Sequence, residues 1–382
     1  MYINHCSIRL LSTAFSCIAF LFCILPQAVY GAGGLSDDEM KLINEAVEQI
    51  RTHSLVPPKS TRGMTDDILR SYSHTIDEYA DYLTSKEYAA FRESTSSDYF
   101  GVQMDIQKKD GHIYLFPFMG GSAEKSGIKA GDELIAINGS PVYGKSVFLV
   151  GSRIRGAEGI TVQLTIRSGK GIPRVLTLRR QSTNYASVSS KTFDKAHYIQ
   201  IARFTKNTEE LLHAILNKIG EDDKTILVDL RRNQGGSLRI ARKCADLFLE
   251  PGTVLFRLRY RDETKDIVAN LPPITKSRVV LIQDKSTASA AEAFIAALAR
   301  NGRAISVGRK SYGKGLAQRF LPLSDGSALL LTYAEILTPD NFAYNNQGLE
   351  PDMRLPEELA DEDFSQDESL PRLLDFVEMN QE

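Results

Sequence analysis

Ser289 and Lys314 are the two side chains of this 382-residue sequence whose types and settings can do covalent chemistry together. Ser289 stands among small residues in D-K-S-T-A-S-A-A-E, and Lys314 stands between two glycines in S-Y-G-K-G-L-A-Q, 314 − 289 = 25 residues on. A serine hydroxyl attacks a carbonyl only when a base takes its proton. A lysine amine serves as that base when burial away from acids lowers its pKa from about 10.4. Gln318 follows four places later. It cannot titrate, so it can orient the amine without restoring its charge. The 6 histidines are scattered with no two at ligand spacing, which leaves a His-based triad and a zinc site without local support. No metal and no cofactor is expected.

Two plainer readings compete. Ser289-Ala-Ala-Glu292 fits a capping box, in which the serine only satisfies backbone donors. Gly308-Arg-Lys-Ser-Tyr-Gly313-Lys314 nearly spells a phosphate-binding P-loop, but Gly315 stands where Ser or Thr is needed, and a strand-like run, Leu316–Phe320, follows where a helix is needed.

These residues need elements to hold them. Arg278–Ile282 reads as a buried strand and Ala290–Arg300 as a helix of good formers. Ser289 then sits at a strand-to-helix turn, where a nucleophile is held at a fixed, exposed point and the helix N-terminus favours a developing oxyanion. A second strand, Thr225–Leu230, runs into Arg231-Arg-Asn-Gln-Gly-Gly236 and a helix from Ser237. Glycine lets the backbone come close to a substrate. Gly236, with Gly235 as the near alternative, is the expected first oxyanion donor and the Ala290 N–H the second.

S-T-A-S-A-A-E followed by Y-G-K-G-x-x-Q, with D-L-R-x-N-x-G-G upstream and Gly348-Leu-Glu-Pro-Asp352 near the end, resembles the carboxyl-terminal processing peptidases, or tail-specific proteases. The resemblance implies a serine peptidase with a Ser289/Lys314 dyad and Gln318 beside it. The sequence departs from the family at Ser286, Thr287 and Ala291, and the loop Thr338–Phe342 lacks the family's glycine after Pro339. These departures touch the shape of the substrate groove and not the dyad.

The expected fold is multidomain α/β. Residues 1–31 read as a secretory signal: Arg9, an apolar run from Leu10 to Leu25, Pro26, and a cut near Gly31. An uncleaved anchor is the alternative. Cys6, Cys17 and Cys23 fall there, so Cys244 alone remains after cleavage; it reads as a core residue on an amphipathic helix, and no internal disulfide can form. Export to a bacterial periplasm or cell envelope is expected. Residues 32–97 read as a helical segment, with Ser36 capping the first helix, a second helix from about Thr65, and helical pattern through Ile76–Leu83. In the family this segment contributes to assembly, which implies a homo-oligomer; simple packing against the rest of the chain is the alternative.

Residues 98–180 read as a β-rich module with strands at 100–106, 112–116, 133–137, 160–166 and 174–178. Tyr99-Phe-Gly-Val102 and Ser122–Gly139 resemble a PDZ domain. Such a domain takes a peptide C-terminus by strand addition, here through Tyr99, Phe100, Gly101, Val102 and Met104, with Val147, Val150 and Ile154 on a helix lining the groove. Residues 181–360 read as an α/β peptidase core of strand–turn–helix units resembling the ClpP/crotonase type, opening with a connection over 184–196. Residues 357–368 read as an acidic, solvated linker and are followed by a short docking helix from Leu370, within an acidic tail over 361–382. A formal net charge of −2 gives no support to nucleic acid as a partner. The implied partners are protein or peptide substrates with free C-termini, and an adaptor that delivers them. The rival function is a PDZ-bearing protein with an inactive core, which holds tails without cutting them.

Overall fold

The computed structural model describes residues 34–56, 60–94, 100–118, 120–182, 187–220 and 224–380. The signal reading of residues 1–31, with three of the cysteines, and the Tyr99 assignment lie outside them. The chain divides into two compact units, residues 1–63 and 64–382.

In the first unit, helix α1 (Asp37–His53) starts at Ser36, where Glu39 Oε2 accepts the Ser36 N–H at 2.7 Å and the Ser36 hydroxyl accepts the Glu39 N–H at 3.3 Å. This is the expected capping box. Met40, Ile43 and Ile50 on its apolar face are exposed.

Helix α2 (Thr61–Ile76) begins four residues before the expected Thr65 and carries the chain into the second unit. The helical pattern expected through Ile76–Leu83 is broken. Asp77 Oδ1 accepts the N–H groups of Tyr79 and Ala80 at 2.7 and 2.8 Å, an Asx turn that competes with helix. Strand β1 (Asp81–Leu83) follows, fully buried, and then α3 (Ser85–Ser94).

The β-rich module comprises β2 (Phe100–Gly101), β3 (Met104–Lys109), β4 (His112–Pro117), α4 (Ser122–Lys125), β5 (Asp132–Ile137), β6 (Ser140–Pro141), α5 (Val147–Ile154), β7 (Thr161–Arg167), β8 (Arg174–Arg179) and β9 (Gln181–Ser182). Its sheet has the order β3-β4-β5-β7-β8, so β3 is an edge strand. The single strand expected over 100–106 is two pieces. Gln103 takes φ +55°, and β2 leaves to pair with β9. Alternate residues of β4 and β7 enter one core with Val102 and Val150, the period-2 pattern of a sheet with one covered face.

The core comprises β10 (Val188–Thr192), β11 (Ala196–Ile201), α6 (Thr208–Ile219), β12 (Thr225–Asp229), α7 (Leu238–Asp246), β13 (Val254–Arg259), β14 (Thr264–Val268), β15 (Val279–Gln283), α8 (Ala290–Ala299), β16 (Ala304–Gly308), β17 (Leu316–Pro322), β18 (Ala328–Leu337), β19 (Met353–Arg354), α9 (Glu357–Ala360) and α10 (Ser369–Met379). The expected connection over 184–196 contains β10, paired antiparallel to β11. The main sheet has the order β10-β11-β12-β15-β16-β19 and is parallel from β11 onward. Residues of α7 and α8 share one hydrophobic cluster with it, and α10 belongs to another. Burial on both faces explains the unbroken apolar run of β15. A second sheet runs β1-β18-β13-β14, with β17 also on β18.

The docking helix expected from Leu370 is present as α10, but the acidic stretch before it is not a solvated linker throughout. Phe364, Leu370, Leu373 and Val377 are buried among residues of the main sheet, and Arg231 Nη1 donates to the carbonyls of Ala360 and Glu362 at 3.1 and 2.7 Å. The acids face outward from an apolar stripe that completes the core.

Candidate active site

Strands β12 and β15 are parallel neighbours, and both deliver site residues from their C-terminal ends, where ligands gather in sheets of this kind. After β15 the chain makes a tight elbow. Asp284 Oδ1 accepts the Ser286 N–H at 2.9 Å, and Thr287 Oγ1 donates to the Leu230 carbonyl at 2.9 Å. Ser289 then takes φ +57° and ψ −119° immediately before α8. A non-glycine residue in such a conformation costs about 1–3 kcal/mol and persists only where its surroundings impose it.

The surroundings are two other loops. From one side, the Ala288 N–H donates to the Asn233 carbonyl at 2.9 Å. Asn233, fully buried, also shapes the glycine turn: Nδ2 donates to the Ile201 carbonyl and Oδ1 accepts the Gly235 N–H, each at 2.8 Å. Gly235 packs so closely on the elbow that an added Cβ would lie 2.8 Å from the Ala288 carbonyl and 2.9 Å from the Ala290 nitrogen. Its N–H is consumed by Asn233. Gly236 opens on the cleft beside Ser289. Among the described residues no partner takes the N–H of Gly236 or of Ala290, which is the first residue of α8.

From the other side comes the lysine loop. Glu292, on the first turn of α8 and fully buried, binds the Ser289 elbow and the lysine loop at once. Oε2 accepts the N–H groups of Ser289 and Lys314, both at 2.8 Å, and Oε1 accepts the Gly313 N–H at 2.7 Å and the Ser311 hydroxyl at 2.5 Å. The capping-box reading is thus present in part and serves the site. The P-loop reading fails: the N–H groups of Arg309, Ser311, Tyr312, Gly313 and Lys314 are all spent on protein acceptors, and β17 follows.

Lys314 reaches the cleft in dense surroundings. Burial pushes its ammonium below the ordinary value, against the opposing charges of Asp105, Glu78 and Glu292. Its Nζ lies over the ring of Tyr79, 5.0 Å from the centroid. Gln318 lines the same cleft from β17, and its amide Nε2 donates to the Thr332 hydroxyl at 3.3 Å.

The cleft measures about 490 Å³. Ser289, Lys314, Gln318 and Gly236 form one side of it, with Leu238, Ala317, Tyr333 and Ile336 as apolar walls. The other side belongs to the β-rich module: Met104 to Gln107 of edge strand β3, and Val147, Phe148, Gly151 and Ile154 of α5. Of the expected groove residues, Met104, Val147 and Ile154 line it. Val102 and Val150 are 1% and 0% exposed in the module's own core, and Phe100 and Gly101 pair with β9. The module is fastened across the cleft by polar pairs, Asp105 with Arg203 and Gln107 with Gln234, and by Glu124 with Arg232 at 2.8 Å. Phe148 of α5 stacks edge-on against Phe320 of β17 at 5.0 Å.

Residues 195–355 match the model of peptidase family S41, and residues 92–167 match that of the PDZ domain. The carboxy-terminal processing protease CtpA of Bacillus subtilis (strain 168) is 30% identical over 324 residues, covering 83% of this chain and 69% of that protein. The chain belongs to the carboxyl-terminal processing peptidases of family S41. A probable CtpA-like serine protease of Staphylococcus haemolyticus (strain JCSC1435) is 32% identical over 284 residues, and this S41 peptidase spans 57% of its length. In fold, the peptidase is similar to a photosystem II D1 C-terminal processing protease, with a TM-score of 0.72 at 23% identity over 88% of this chain and 99% of that one. The β-rich module is its PDZ domain and the parallel sheet the centre of its peptidase core.

Asn233 and Glu292 are the site residues whose roles sequence reasoning missed. Both stood inside phrases already singled out. Glu292 was expected to cap its helix only, and nothing in the spacing shows that its second oxygen meets a loop about twenty residues on.

Proposed function

We propose that this peptidase is an exported serine endopeptidase that takes protein C-terminal tails on its PDZ domain and cuts peptide bonds with a Ser289/Lys314 dyad. The observation that carries this reading is the shared cleft. A strained serine, a lysine whose proton is loosened by burial, and an edge strand with an apolar helix beside it all open onto one space.

The chemistry follows from the groups present. Ser289 Oγ attacks the scissile carbonyl carbon while neutral Lys314 Nζ takes its proton. The oxyanion receives the N–H groups of Gly236 and Ala290, each contributing about 3 kcal/mol to the transition state. The lysine then protonates the leaving amine, which departs and leaves an ester on Ser289. Water attacks that ester with Lys314 again as base, and the new C-terminus is released. With its amide nitrogen held by Thr332, Gln318 offers its oxygen to the lysine as an acceptor that cannot titrate.

The edge of β3 supplies main-chain hydrogen bonds to an incoming strand, and Met104, Val147 and Ile154 select apolar last residues. Assembly through the exposed apolar face of α1, delivery by an adaptor, and export to the cell envelope complete the reading. It is tested by incubating the mature protein with unstructured proteins that differ only in their last residues. Preferential cutting of those with free apolar C-termini, abolished by Ser289→Ala, is expected. Tight binding without cutting would instead establish the inactive, tail-holding alternative.

A further inference from the structure

The turn between α2 and β1 forms the back wall of the lysine. It is fixed from both ends. Asp77 holds the N–H groups of Tyr79 and Ala80, and β1 is locked into the second sheet with Asp81, Tyr82 and Leu83 opposite Leu330, Leu329 and Ala328 of β18. Behind it, Arg70 Nε donates to the Tyr82 carbonyl at 3.2 Å and Tyr82 Oη donates to Asp66 at 2.9 Å. Tyr79 therefore presents its ring from a rigid support, and the Lys314 amine lies over that ring.

We propose that Tyr79 is a positioning residue for Lys314: the face of its ring holds the amine in the cleft and stabilises the ammonium formed when Ser289 gives up its proton. The proposal rests on Lys314 as the general base. A carboxylate in this place would keep the lysine protonated and useless as a base. An aromatic face attracts an ammonium through its quadrupole and competes for no hydrogen bond, so the amine can be neutral before the reaction and is favoured in its charged form during it.

The charged groups around the amine are disposed to leave the ring as its direct contact. Glu292, on α8, spends its oxygens on main-chain N–H groups and the Ser311 hydroxyl. Asp105, on β3, is paired with Arg203. Glu78, in the turn itself, has an exposed side chain. All three favour the protonated lysine and burial disfavours it. The Tyr79 phenol is held far above its usual range, mainly by burial, so it stays neutral and is not itself a base.

The test uses the full chain with Tyr79→Leu and Tyr79→Phe. The first reading is the pH dependence of kcat. The second is the titration of the Lys314 ¹³Cε resonance in Ser289→Ala protein, assigned by its loss in Lys314→Arg. Tyr79→Leu is expected to move both transitions down by ~0.5–1 pH unit and to lower kcat at its optimum about tenfold, while Tyr79→Phe matches the parent. An unchanged titration in Tyr79→Leu, or an equal shift in Tyr79→Phe, overturns the proposal. Should Tyr79→Leu not fold, graded ring fluorination of Tyr79→Phe weakens the quadrupole at nearly constant shape, and a titration that ignores the series overturns it equally. Failure of the dyad itself shows separately, as activity in Lys314→Arg, because the resonance reports the ring contact whether or not the enzyme turns over.

Discussion

Glu292 grips Lys314 by its main chain, with Oε2 accepting the Lys314 N–H and the Ser289 N–H at the same 2.8 Å. One carboxylate oxygen thus sets the register between the Ser289 loop and the Lys314 loop. Glu292→Gln keeps the volume but exchanges an acceptor oxygen for an NH₂ group that faces donors. It is expected to cost about 2–3 kcal/mol of stability and to lower kcat more than it changes KM. Chemical denaturation and steady-state proteolysis measure the two effects. A variant with parental stability and rate would show that the carboxylate does not set this register.

Ser289→Ala is expected to reduce hydrolysis by about 10⁴-fold or more with stability within about 1 kcal/mol of the parent. Its backbone is imposed by neighbours that the substitution leaves in place. Proteolysis and thermal unfolding on one preparation check this; activity near the parent's would leave Ser289 as a helix cap.

Lys314→Arg and Lys314→Ala are both expected to be inactive, because guanidinium stays protonated at any working pH and alanine supplies no amine. In the parent, kcat is expected to rise with pH as the amine loses its proton, up to the lysine's lowered pKa. Stability follows the same group. A folded-state pKa below the unfolded value means that above the folded pKa the unfolded chain binds more protons, so stability rises with pH until the unfolded lysine also titrates near ~10.4. Lys314→Met should therefore raise the unfolding temperature most at acid pH, with the gain shrinking as pH climbs through that window. A gain independent of pH would contradict the lowered pKa.

Gly235→Ala places a methyl group against the Ala288 carbonyl and Ser289 Cβ, at a residue with φ +93°. Serine displacement should lower kcat about 10²-fold and destabilise by about 1–3 kcal/mol. The measurement is the single-turnover acylation rate with an activated ester, and an unchanged rate would show that the elbow yields without consequence.

The legible parts of this molecule were those set by local pattern. Parallel strands buried on both faces, such as β15, announce themselves as apolar runs, and the glycines at 235, 236 and 313 announce turns with positive φ. What stayed hidden depends on contacts distant in sequence. The run Ile76–Leu83 has helical spacing, but pairing with β18 and the Asp77 turn override it. The acids before α10 suggest solvation, whereas the burial of Phe364 among them is visible only against the sheet it covers. Val102 and Val150 looked like groove residues because burial in a module's core and exposure on its groove have the same apolar signature.

The pairing of β1 with β18 joins residue 83 to residue 328, with the whole PDZ domain and most of the core between them. Contacts of such separation form late, since the loop they close must be ordered before they reward it. The wall behind Lys314 is therefore completed only after nearly all of the chain is available, and a growing or half-folded chain lacks it. The setting of the lysine is thus tied to the order in which the strands meet.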